Sequence, residues 1–372
     1  MYRNTWMEID LDGIEENIRR IKKICGKRII AVVKAGGYGC GDMMVARAAR
    51  NAGAEMLAVS SSDEALILRN KGYEGPLLIL GHTDAMDLGK LIQNHVTVPA
   101  YSMNWVKNAV KTDCSGLCVH IKCDTGMNRI GFRDGADIRE AIRILLDHGC
   151  KVEGIFTHFA CAESDEAMTQ RQFDAFSRFV KEAAYPFEWI HCDNSEATIR
   201  FRDDLSNACR LGIAMYGISE TLHDLCHPVA LYSRMFMVKR VPAGETVGYG
   251  ATYTTKEDEW IGTMPIGYAD GFIRRNQGRK VLVNGREARV VGRVCMDQTM
   301  IHLAQEEPEG SVVEIFGPHI AIEDMAEELE TIPYEIFCLI SDRVTRLYRS
   351  GGTIRYESNG RINESEYEKE AG

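Results

Sequence analysis

Apolar residues in the first half of the chain recur in two alternating rhythms. Between Asp10 and Cys25, Leu11, Ile14, Ile18, Ile21 and Ile24 fall three or four apart, which places them on one helix face with Asp10 as its N-cap. The run Ile29-Ile30-Ala31-Val32-Val33 is continuously apolar and β-branched, and it reads as a buried strand. The alternation then continues through helices at 42–51, 63–71, 84–94, 103–111, 136–147 and 166–183. The strands between and after them fall at 56–59, 77–80, 96–100, 117–123, 152–156, 188–192 and, last, 212–216. Eight strands with helices between most of them predict a (β/α)8 TIM barrel, an α/β fold, with a doubly wound sheet as the alternative.

After about Arg234 the pattern shortens to β-rich runs at 236–241, 260–265, 281–283, 288–293 and 312–316, with Asn284-Gly285 as a hairpin turn. This predicts a C-terminal all-β domain. The expected boundaries are 1–230 for the barrel, 231–350 for the β-rich domain and 351–372 for a polar tail.

The chain has 372 residues, 45% of them hydrophobic, which is too much for one ordinary core and suits a large barrel plus a second domain. A net charge of −10 without a lysine- or arginine-rich block offers no footprint for nucleic acid or an anionic membrane, so small molecules are the expected partners. No apolar run reaches the ~20 residues of a membrane helix. Twelve cysteines without a C-x-x-C, behind a polar Tyr2-Arg3-Asn4 start, point to free thiols in a reducing cytoplasm; no metal site is expected.

Chemistry concentrates first at Lys34. The β-branched strand delivers this amine into a turn containing Gly36, Gly37, Gly39 and Gly41, where a desolvated lysine has a lowered pKa and suits a Schiff base. A lysine that only snorkels from a strand end is the competing reading. The glycine spacing fits neither G-x-G-x-x-G nor a P-loop. Other polar groups fall at strand ends too: Lys122 with Asp124, His158, and His191 with Asn194 and Ser195.

Residues 29–42 resemble the pyridoxal-phosphate lysine motif of the alanine racemase family, A-V-V-K-A-N-A-Y-G-H-G, matched at Ala31, Val32, Val33, Lys34, Ala35, Tyr38, Gly39 and Gly41. They depart from it at Gly36, Gly37 and Cys40. Further segments resemble the family in order up to about Tyr348. The run His120 to Gly131 implies a carbamylated Lys122, with Arg129 facing cofactor and substrate. Thr157-His158-Phe159-Ala160 and His191-Cys192-Asp193-Asn194-Ser195 imply cofactor-binding His158, Asn194 and Ser195, and Tyr38 joins them. Arg210 to Gly217 implies Arg210 at the pyridine nitrogen and Gly212 and Ile213 at the phosphate. A guanidinium there would leave that nitrogen unprotonated, which favours racemisation over transamination.

In the β domain, Val247 to Tyr253 resembles the segment of the second catalytic base, implying Tyr249. Ile266 to Gly271 and Gly292 to Gln298 imply substrate-side Tyr268, Met296 and Asp297. Racemisation uses an acid/base on each face of Cα, so Lys34 and a Tyr249 from the second chain of a homodimer would form a complete pair. The resemblance implies a pyridoxal 5'-phosphate enzyme interconverting L- and D-alanine, with D-alanine destined for cell-wall peptidoglycan. Where the family reads S-Y-R-V, this chain has Ser341-Asp342-Arg343-Val344. Loss of the gate tyrosine opens a serine, or dual alanine/serine, alternative with Asp342 at the substrate. Decarboxylases of the same architecture carry G-G-G and E-P-G-R strings that are absent here, and single-barrel pyridoxal-phosphate carriers lack a β domain.

Overall fold

The β-branched run at 29–33 forms the strand Arg28–Val32, buried over most of its length because neighbours cover both its faces. The computed structural model describes residues 3–359 and the backbone of 363–368. Seven further parallel strands follow: Met56–Val59, Leu77–Ile79, Val98–Ala100, Cys118–Lys122, Lys151–Phe156, Trp189–His191 and Ala208–Leu211. The first pairs with both the second and the eighth. The third and fourth, at the two ends of the hydrogen-bonded order, meet through a Leu78–Thr97 bridge. The sheet is thus a nearly closed barrel, and the doubly wound alternative falls away. Helix Leu11–Cys25 begins with Asp10 Oδ1 accepting the Asp12 N–H, and it buries Ile14, Ile18 and Ile21 completely. Each such side chain contributes about 1.5–3 kcal/mol.

One expected strand is corrected. The eighth strand is Ala208–Leu211, and Ile213–Tyr216, inside the run expected as strand 212–216, is a 3-10 turn. Gly212, at φ −115° and ψ −104°, takes the backbone out of strand geometry, and the Tyr216 hydroxyl donates to Gly37 O at 2.8 Å. The apolar run is buried as a turn, so its composition alone looked like a strand.

Chain contacts divide the protein into two units, Ile14–Gly37 with Asp42–Cys226, and Met1–Gly13 with Tyr38–Gly41 and His227–Gly372. The second contains a strand the apolar pattern did not predict, Thr5–Asp10, paired antiparallel with Val229–Arg234 and parallel with Thr345–Ser350. Its hairpin Lys280–Val283/Arg286–Val291 turns on Asn284 and Gly285 at φ 49° and 78°, the left-handed pair a two-residue turn requires. Two short helices, Ile322–Leu329 and Pro333–Leu339, also belong to this unit. The polar tail expected from 351 begins as a strand: Gly351-Gly352 turns the chain into Thr353–Asn359, which pairs with Thr345–Ser350. Residues 360–362 and 369–372 lie outside the described residues. Among those described, no helix is long and apolar enough to cross a membrane.

Candidate active site

Lys34 stands half-buried just past the carboxyl end of the first barrel strand. Ala35, Gly36, Gly37, Tyr38 and Gly39 after it all have φ between 52° and 78°, a left-handed run that costs any residue carrying a Cβ. Two anchors on the barrel side hold it. The Ala35 N–H donates to Glu64 Oε1 at 2.7 Å while Glu64 Oε2 accepts from Ser60, and the Gly37 N–H returns to Val33 O at 2.9 Å. In the β unit, a Cβ on Gly39 would lie 2.3 Å from Phe337 O, and Tyr38 is buried near the Tyr334 ring.

Strand alternation turns His120 and Lys122 to one face, and both are buried. Arg210, also buried, donates from Nη1 to His191 Nδ1 (2.7 Å) and His191 O (3.1 Å). From Nη2 it donates to Thr157 O (2.7 Å), His158 Nδ1 (3.0 Å) and Cys192 O (3.0 Å). All five acceptors are neutral. Burial lowers Arg210 to about 10, so it remains a cation at neutral pH. Burial, followed by the Arg210 charge, lowers His158 and His191 well below the usual histidine range and pushes Lys122 down to about 7. Lys122 Nζ donates to Cys123 O at 2.7 Å and sits 5.3 Å from the Phe156 ring.

The charges of Lys34 and Arg129 both reach His158, so the structure brings Lys34, Lys122, Arg129, His158 and Arg210 into one electropositive neighbourhood. Arg129 is exposed on a loop shaped by Asp124 Oδ1, which accepts from Gly126 and Asn128 N–H. Asn194 Oδ1 caps helix Ser195–Arg200 by accepting the Ala197 N–H at 3.0 Å, so its side chain has a structural task. Ser195 Oγ accepts from Gly212 N–H (3.0 Å) and Ala214 N–H (3.4 Å). Both lone pairs are then occupied, and its O–H is left to donate.

In the β unit, Tyr249 lies between Gly248 and Gly250, both left-handed, and is 72% exposed. Beside it, Val247 is buried with Val241, Ile261 and Val291. Tyr268 and Met296 are exposed apolar side chains on segments joined by Tyr268 N–H to Cys295 O and Ala269 N–H to Met296 O, each 3.0 Å. Arg343 bridges Asp297 and the buried Asp270, which also accepts from Arg3. Asp342 is exposed next to Arg343.

His120, Asp270, Arg343 and Arg3 were not singled out from the sequence as site residues. His120 was within reach, two residues before Lys122 on one strand; the others meet only through the fold. Cys192, Asp193 and Asp203 have metal-like spacing, but Lys27 Nζ fills that place, bonding Asp193 at 2.9 Å and Asp203 at 2.6 Å.

The model of the alanine racemase N-terminal domain matches residues 9–220, and that of its C-terminal domain matches residues 229–348. The chain is 42% identical to an alanine racemase of Halalkalibacterium halodurans, over 96% of this chain and 98% of the relative. It is 41% identical to one of Geobacillus stearothermophilus, over 93% and 94%. Among solved structures, alanine racemase from Bacillus anthracis with bound L-Ala-P superposes with a TM-score of 0.92 at 39% identity, over 96% of this chain and 98% of that one. A histidine racemase from Leuconostoc mesenteroides shares the fold at 27% identity and a TM-score of 0.88, over 94% and 99%.

Proposed function

The chain belongs to the alanine racemase family and is an amino-acid racemase, and on that premise we propose that it interconverts L- and D-alanine with pyridoxal 5'-phosphate held on Lys34. The observation that carries this is a strand-end amine in one electropositive neighbourhood with a buried arginine whose five hydrogen-bond acceptors are all neutral. Such a place suits an anionic carbonyl compound. The donor set fits it: Lys34 supplies the amine, Ser195 has an O–H to give beside Gly212 and Ile213, and Arg129 and Arg210 supply positive charge and hydrogen-bond donors. The bound cofactor would acidify the substrate Cα–H by delocalising its electron pair.

On this reading Arg210 keeps an N–H toward the pyridine nitrogen without giving up the proton, and its other donors are tied to the barrel. Lys34 removes or returns the Cα proton on one face. Tyr249 of the partner subunit serves the other face in a homodimer, which agrees with its exposure on a loop packed from behind. A Lys122 amine near neutrality is ready for carbamylation, since only the neutral amine attacks carbon dioxide. Tyr268, Met296 and Asp297 would line the substrate side. The serine alternative built on Asp342 is not favoured, because the relatives near 40% identity are named alanine racemases. Twelve free thiols agree with a reducing cytoplasm, where D-alanine would be drawn into cell-wall peptidoglycan.

Chiral analysis of L-alanine incubated with the purified protein and pyridoxal 5'-phosphate tests the reading. An approach to equal amounts of the two enantiomers is expected. Retained L-alanine, with the cofactor demonstrably bound, would contradict it.

A further inference from the structure

Beyond Arg210, the hydrogen bonds continue deeper into the barrel through two histidines. Arg210 offers only N–H groups, so His191 Nδ1, 2.7 Å from Nη1, has to accept. A neutral imidazole with a lone pair on Nδ1 carries its proton on Nε2. That Nε2 lies 3.0 Å from Nδ1 of His120, so His120 accepts in turn and holds its own proton on Nε2. There the chain of bonds ends, for His120 Nε2 is buried and meets no acceptor among the described residues. With the guanidinium in this position an Nδ1–H on His191 would set two donors against each other at 2.7 Å, so guanidinium placement and His191 tautomer are coupled, and the acceptor at His120 favours the Nε2–H form.

The surroundings are built for this pair of rings. Phe156 stacks on His191 at 4.8 Å and 8°, fixing its plane. Gly154, on the strand paired with that of His120, leaves the space for the second ring, since a Cβ there would lie 2.7 Å from its atoms. An apolar residue could fill the same volume without accepting a proton.

We propose that His120 is a positioning residue for the racemase reaction: by accepting from His191 Nε2–H it holds the tautomer of His191 that accepts from Arg210, and so orients the guanidinium. The proposal rests on the reading of Arg210 given above. His120 is fully buried behind His191, and its effect runs through two hydrogen bonds.

The test is a pair of variants of the holoenzyme, His120→Asn and His120→Phe, with ring tautomers read by two-bond 1H–15N correlation. In the parent, His191 and His120 should both show Nε2–H. His120→Asn places a carbonyl oxygen where Nδ1 was, so it should keep the His191 tautomer and a kcat within about threefold of the parent. His120→Phe fills the space but cannot accept, so the His191 proton should redistribute and kcat fall roughly thirtyfold, with KM for alanine changing less than about twofold. An Nδ1–H His191 in the parent overturns the proposal. So does a His120→Phe enzyme of parental rate, or a His120→Asn enzyme as impaired as His120→Phe. If His120→Phe does not fold, the parent spectrum and His120→Asn still decide. The tautomer reading needs no turnover, so it fails or holds separately from the alanine assay on the parent.

Discussion

Arg210 Nη2 donates to His158 Nδ1 across 3.0 Å, so the His158 imidazole is neutral and its remaining N–H lies on Nε2. The same guanidinium holds three backbone carbonyls, at Thr157, His191 and Cys192, and so ties the ends of neighbouring strands together. Arg210→Lys cannot reproduce this planar fork. It should lower stability by roughly 2–4 kcal/mol in urea denaturation and kcat for alanine by about a hundredfold. A variant with parental midpoint and rate would show that the guanidinium is dispensable.

Lys34 is the amine expected to hold the cofactor. Lys34→Ala should abolish racemisation while leaving the fold intact by circular dichroism, because the left-handed turn after it is held by Glu64 and Val33 and not by the lysine side chain. Borohydride treatment of the parent followed by peptide mapping should leave the label on Lys34. Label on another lysine would refute the assignment.

The behaviour of Lys122 with pH has a definite sign. Its folded-state value of about 7 lies below the ordinary lysine value of about 10.4, so between the two the unfolded chain binds more protons and stability rises with pH. Lys122→Met should remove that rise. Carbamylation needs the neutral amine, so a carbonyl signal from 13C-bicarbonate should grow between about pH 6 and about pH 8 in the parent and be absent in the variant. Equal signal in both proteins would exclude Lys122 as its site.

Two glycines of one turn should respond differently. Gly36, at φ 60°, has no atom of a described residue within 4 Å of where a Cβ would stand, and asparagine tolerates left-handed backbone, so Gly36→Asn should cost less than about 1 kcal/mol. Gly39→Ala would drive a Cβ to 2.3 Å from Phe337 O, a backbone atom that cannot swing away, and should cost more than about 2 kcal/mol. Equal thermal midpoints for the two variants would contradict this packing.

Much of the barrel was legible because its signals are local. The helix expected at 166–183 is Glu166–Ala183, and the β-branched run before Lys34 is the first barrel strand. Thr5–Asp10 was hidden because its partners, Val229–Arg234 and Thr345–Ser350, lie more than two hundred residues away, and strand pairing over such distances leaves no periodic trace in a six-residue segment. The run at 212–216 misled because a buried turn and a buried strand have the same composition. The same limit applied at the site. Alternation put His120 on the face of Lys122, but only the curvature of the nearly closed barrel brings His191 from the next strand but one to within 3.0 Å of it.

Mixed dimers test a site that uses Lys34 of one chain and Tyr249 of the other. Lys34→Ala and Tyr249→Phe chains, each nearly inactive alone, are mixed, allowed to exchange and assayed for alanine racemisation. Each heterodimer should contain one intact site and one doubly impaired site, so activity should return to about half of the parental value per heterodimer. Exchange proven by mass spectrometry with no recovered activity would contradict a site shared between two chains.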